Sequence, residues 1–162
     1  MRRFLLLVIA ALPLALAPAA AAATPTTVEE SFHRSAPNFA TCPGFTVRGE
    51  FDVTRTATTF YDQDGTPIRQ VIHVHFVGAL SNSVSGKSLA DEGGPIVTLD
   101  LVEGTATIVG RQRVDTEPGL GVVFADAGRV VRAAVGPAIF FVAGQHDLIE
   151  GDIERLCAYL AN

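Results

Sequence analysis

From Phe45 the chain alternates strictly. Phe45, Val47, Gly49, Phe51 and Val53 fall on one side, and Thr46, Arg48, Glu50, Asp52 and Thr54 fall on the other. Side chains of a β-strand point alternately to opposite faces, so this segment predicts a strand with one buried and one wet face. Such a strand cannot stand alone, because its ladder groups and its apolar face both need neighbours. A β-rich run continues through Thr56, Thr58, Phe60 and Tyr61, and Asp64-Gly65 marks a hairpin turn.

The downstream chain repeats the period. Residues 68–80 predict the longest strand, with Ile72, Val74, Phe76 and Leu80 on the apolar face and Arg69, His73, His75 and Ser81 on the polar one. Residues 81–95 read as a polar, Gly-rich connection. A strand at 96–101 is turned by Glu103-Gly104, and 105–115 alternates again, with Arg111 and Arg113 sharing a face at i and i+2. Past Pro118-Gly119, three short strands are expected at 121–124, 129–133 and 138–142, separated by Asp126, Gly128, Gly136 and Pro137. The end differs. From Asp152, a candidate N-cap, Ile153, Leu156, Cys157 and Leu160 fall at i, i+3, i+4 and i+7, which predicts one amphipathic helix.

Strands at regular turn spacing without helices between them exclude a parallel sheet. The expected fold is all-β: an antiparallel meander of about eight strands with one C-terminal amphipathic helix. A sandwich and a closed barrel both accommodate it. The barrel is preferred because closure removes exposed edges, and this chain has one lysine, Lys87, with which to blunt them.

The N-terminus is read separately. Arg2 and Arg3 precede an apolar run broken only by Pro13, and small residues follow Pro18 as far as Ala23. That order matches a cleaved secretory signal, with Ala21 and Ala23 meeting the small-residue rule. Residues 1–23 are therefore expected to be a signal peptide, 24–41 a flexible N-terminal arm, and 42–162 a single barrel-like domain. Removal of the signal leaves 162 − 23 = 139 residues and 10 basic against 17 acidic groups, a net charge of −7. Acidity argues against nucleic acid as a partner. A secreted location, with no stable membrane insertion after cleavage, follows from the same reading. Two cysteines in an exported chain predict one disulfide, Cys42–Cys157, tying the last helix to the start of the domain.

Few residues suggest chemistry. His73 and His75 lie at i and i+2, a spacing that suits two ligands of one zinc or iron, with His146, Glu50 or Asp52 as a third. The cupin pattern places a Glu about four residues after its second His, whereas Ala79 stands here. The plainer alternative is a pair of exposed histidines beside Glu50 and Asp52. Arg111 and Arg113 are candidates to clamp an anion inside a barrel, or form a solvated exterior row. His146 and Asp147 are adjacent and so do not form a dyad on a strand. They read as solvated strand-end residues. Gly86-Lys87-Ser88 lacks the earlier glycine of a phosphate loop, since Ser81 stands there. No hydrolase elbow is present, and no cofactor is implied.

Residues 69–88, RQVIHVHFVGALSNSVSGKS, with the later GVVFADAGRVV and the Cys-bearing final helix, carry a resemblance. Over about residues 42–160 the chain resembles an uncharacterised family of small exported proteins from high-GC Gram-positive bacteria. Its expected architecture also resembles the small antiparallel barrels of lipocalins, dirigent proteins and allene oxide cyclases, although it lacks the lipocalin tryptophan. These observations predict a non-catalytic module that binds a small apolar ligand or an envelope protein. The alternative is an enzyme, either a cyclase or isomerase with a barrel pocket or a metalloenzyme using His73 and His75.

Overall fold

The alternating segment from Phe45 is a strand, and Val47, Gly49, Phe51 and Val53 are buried while Arg48, Glu50 and Asp52 are exposed. The computed structural model describes residues 23–162, so the expected signal peptide lies outside the described residues except for Ala23. Eight strands and two short helices follow in order. They are β1 (Thr26–Cys42), β2 (Phe45–Tyr61), β3 (Pro67–Asn82), β4 (Ser88–Gly93), β5 (Ile96–Asp100), β6 (Thr105–Glu117), β7 (Gly121–Ala133), β8 (Ile139–His146), α1 (Asp147–Glu150) and α2 (Glu154–Ala161). Every pairing is antiparallel. The sheet runs β1-β2-β3-β5-β6-β7-β8, and β4 pairs with the far end of β3.

Three expectations change. Residues 24–41 are not a flexible arm, because β1 pairs with β2 from Thr26 to Cys42. As an outer strand β1 is wet on both faces for most of its length, so its sequence lacks the alternation by which the inner strands are read. The connection at 81–95 contains β4, whose inward residues Leu89 and Asp91 are fully buried. A buried acid in a short polar segment hides the strand. The three short strands after Gly121 are two, because Gly128 continues β7 instead of ending it.

The sheet is not closed into a barrel by hydrogen bonds, because β1 and β8 are not paired. It is strongly curved nonetheless. Phe39 on β1 packs edge-to-face on Phe124 of β7, with ring centroids 5.7 Å apart, so the two flanks of the sheet meet across their inner faces. Gly110, Gly128 and Gly144 stand side by side on β6, β7 and β8 and carry φ of 102°, 137° and 106°. A Cβ on Gly128 would collide with the Ala143 carbonyl oxygen. Only glycine permits this backbone, and the row marks where the three strands bend together.

The apolar core closes one end of the curved sheet. Val47, Leu80, Leu89, Phe124, Leu156 and Leu160 have almost no exposure. The last two come from α2, which begins at Glu154, with Ile153 rather than Asp152 in the cap position. Asn82 Nδ2 donates to the Leu160 carbonyl at 3.0 Å and ties β3 to the end of this helix. Cys42 and Cys157 form the expected disulfide, joining the end of β1 to α2 across 115 residues. No described helix is long and apolar enough to cross a membrane.

Two stability tests follow. Closing so long a loop is worth about 4–5 kcal/mol on the chain-entropy model, and the paired Cys42→Ala/Cys157→Ala change is expected to lose about 2–5 kcal/mol by denaturant titration. Gly128→Ala is expected to lose at least about 2 kcal/mol from strain and steric conflict. An unchanged midpoint for Gly128→Ala would show that the glycine row does not set the bend.

Candidate functional site

The site is made by a break in the β6 alternation. Strict alternation puts Arg111 and Arg113 on one face, but Arg111 stands opposite Ala127 and Arg113 opposite the adjacent Asp126. The extra residue, Gln112, forms a β-bulge and reverses the parity. Arg111 therefore faces outward, 4.0 Å from Glu92. Arg113 turns inward, and its side chain is 16% exposed.

Four aromatic rings surround Arg113. Its Cζ lies 4.8 Å from the ring centre of Phe39, 5.0 Å from Phe76, 5.6 Å from Phe51 and 5.9 Å from Phe124. Rings from β1, β2, β3 and β7 thus converge on one guanidinium, with their electron-rich faces favouring the positive charge. Phe51 and Phe76 also meet edge-to-face at 5.4 Å. Arg113 Nη1 donates to Asp91 Oδ2 on β4 at 2.9 Å. The Asp91 carboxylate is wholly buried, so this is an interior ion pair.

Two further buried acids stand behind it. Asp115 follows Arg113 on the same inner face of β6, and Asp126 lies opposite Arg113 on β7. Burial pushes the Asp115 carboxyl up to about 7, and the charge of Asp91 adds to it, while Arg113 and Arg111 pull it down. Burial also raises Asp91 and Asp126, against the pull of Arg113 in both cases. Asp115 also acts on Asp91, lowering its pKa against the effect of burial. Asp91 Oδ1 and Asp115 Oδ2 are buried with no hydrogen-bond partner among the described residues, and such orphaned carboxylate oxygens favour the protonated form.

His146 is buried, not solvated at a strand end. Its Nε2 lies 3.2 Å from the Ala143 carbonyl, and its Nδ1 is 3.9 Å from Asp126 Oδ1, too far for a hydrogen bond. Asp147 is buried as well and serves the backbone, accepting from the Ala125 N–H at 2.8 Å.

A cavity of about 460 Å³ opens onto Arg113. Phe39, Phe51, Val53, Val74 and Phe76 line it from the sheet, and Leu148 of α1 lines it beside the unpaired flank of β1. Arg34, Ala36 and Asn38 of β1 complete the lining. Arg34 stands opposite Phe51, on the inner face, and is exposed. The volume lies in the range of small-molecule sites, which are mostly apolar with a few placed polar groups.

His73 and His75 lie elsewhere. They are exposed on the outer face of β3, opposite Thr56 and Thr54. His75 borders a shallow depression with Glu92 and Arg111. Glu50 and Asp52 do not join them but hydrogen-bond His33, at 2.9 and 3.0 Å. Those bonds, Asp52 first, raise the His33 pKa. Among the described residues no cluster of three metal-binding side chains forms. Of His73, His75, Arg111 and Arg113, then, Arg113 alone lies in the interior, while His146 is buried apart from the two exposed histidines. Phe39, Asp91, Asp115 and Asp126 were missed. Asp115 carried a usable signal, since it falls two residues beyond Arg113 on an alternating strand.

No protein-family model, curated protein or solved structure matches this chain.

The acid pair predicts a pH dependence. The Asp115 pKa is above its unfolded value of 3.8, so the folded state holds the proton more tightly. Its stabilising contribution is complete below about pH 4 and is lost as pH rises through about 7. The loss is on the order of 2–4 kcal/mol, expressed as a lower Tm at pH 8 than at pH 5. Asp115→Asn keeps a side chain of the same shape at the buried position and removes its titrating carboxyl. It is expected to flatten the Tm profile and to raise Tm at pH 8, and an undiminished pH dependence would assign the effect to another group.

Proposed function

We propose that the protein is an exported, non-catalytic module that holds a small, mainly apolar ligand in the cavity above Arg113. In this reading the curved sheet works as an open barrel whose unpaired flank, between β1 and β8, supplies the mouth. One observation carries the reading: a space of about 460 Å³, walled by Phe39, Phe51, Val53, Val74, Phe76 and Leu148, has one buried guanidinium at its floor. Export is supported by the order of the N-terminal residues and by the cystine, which suits an oxidising compartment.

A second reading, an enzyme of cyclase or isomerase type, is favoured by the Asp91–Asp115 pair. A carboxyl held near 7 is suited to donate or accept a proton. It ranks second because neither acid lines the cavity, where a reacting atom would sit.

Protein purified from its own culture medium is expected to retain a small molecule in native mass spectrometry, or to bind an apolar fluorescent probe after delipidation. Ala36→Trp places a large side chain in the cavity wall and is expected to reduce probe affinity at least tenfold without lowering Tm substantially. Repeated recovery of bare protein that binds no probe would count against the ligand reading.

A further inference from the structure

We propose that the ligand is a small amphipathic monocarboxylate, its head bound by Arg113 and Arg34 and its apolar body lying against Phe39, Phe51 and Phe76. The proposal rests on the ligand-binding reading and adds the charge and chemical class of the occupant.

Charge complementarity carries it. The described domain is acidic, yet the cavity lining contains two arginines and no acid. Asp91, Asp115 and Asp126 are buried outside the lining, where Asp91 holds the guanidinium and none presents negative charge to the cavity.

Arg113 also has donors to spare. A guanidinium carries five N–H groups in a planar fork. Among the described residues one hydrogen bond uses them, Nη1 to Asp91 Oδ2. The four rings around Arg113 offer no conventional acceptor. Arg113 lines the cavity, so the donors that Asp91 leaves unused are available to an occupant. A carboxylate matches that fork with two parallel hydrogen bonds, and the apolar walls exclude competing water. Arg34 makes no hydrogen bond or ion pair among the described residues. Its neighbours His33 and Ser35 are both engaged with Glu50 on the opposite face.

A neutral ligand would leave these donors unpaired beneath an apolar body, which costs affinity. A cationic one would face two like charges with no acid in the lining.

Calorimetric titration at pH 6 with decanoate, 1-decanol and decylamine, each below its micelle concentration, separates the outcomes. Decanoate is expected to bind at least tenfold more tightly than decanol, and decylamine not measurably. Arg113→Lys keeps the charge and removes the fork, and is expected to weaken decanoate about tenfold. Because Arg113 also pairs with Asp91, that variant can fail to fold. Arg34→Gln sits on the exposed rim and keeps the test open, with the decanoate preference expected to fall at least threefold. Equal binding of decanol and decanoate overturns the carboxylate inference and leaves the ligand reading standing. Preference for decylamine overturns it with the opposite sign. Binding of none of the three overturns both.

Discussion

The interior of this protein is arranged around a charge that must not be left alone. Arg113 is turned inward by the bulge at Gln112 and is largely buried. Removing one member of a buried ion pair commonly costs about 3–5 kcal/mol, because the partner is left uncompensated. Asp91 answers that requirement, and β4 exists as a strand at the place where it can deliver Asp91 to Arg113. The aromatic rings answer the rest. Each arrives from a different strand, so the position of one side chain couples β1, β2, β3 and β7. Gly93 makes room for this arrangement, since a Cβ there would strike the Phe76 ring and the Gln112 carbonyl oxygen.

The open flank is the second constraint. With β1 and β8 unpaired, the curvature of the sheet cannot be held by a closed ladder. It is held at three other places. The glycine row bends β6, β7 and β8 together, the Phe39–Phe124 contact joins the flanks across the inner face, and the cystine fastens the end of β1 to α2. A hydrogen-bonded seam would leave no gap between β1 and α1. The same gap is where Arg34, Phe39 and Leu148 border the cavity. The cavity thus lies beside the flank of β1 that pairs with no strand.

The strands with one wet and one dry face could be read from their sequences because period-two alternation is a direct image of that environment. This holds for the first half of β2 and part of β3. Two elements broke the rule in opposite ways. On β1 most residues are exposed whichever way they point, so nothing alternates. On β4 an inward position carries Asp91, and a buried acid looks like a surface residue until its partner is known. The site failed for a third reason. A bulge changes parity without changing composition, so Arg111 and Arg113 look equivalent in sequence while their side chains differ from 58% to 16% exposed. The outward histidines drew attention because their spacing suits a metal, but spacing on one strand says nothing about what the neighbouring strands bring.

Three acids around one arginine are more negative charge than the pair requires. If the only task were to fill the interior, apolar residues of similar volume would do as well or better, since buried ion pairs seldom outperform them. The surplus has a geometric effect. Asp91 holds one edge of the guanidinium, Asp115 follows Arg113 on the same inner face of β6, and Asp126 stands opposite Arg113 on β7. Burial alone would leave Arg113 free to turn among the four rings, because a cation over an aromatic face has little angular preference. The hydrogen bond to Asp91 adds one directional contact to that loose attraction. Burial of Asp115 beside Asp91 carries a cost of its own, because the folded state loses stability as pH rises through about 7.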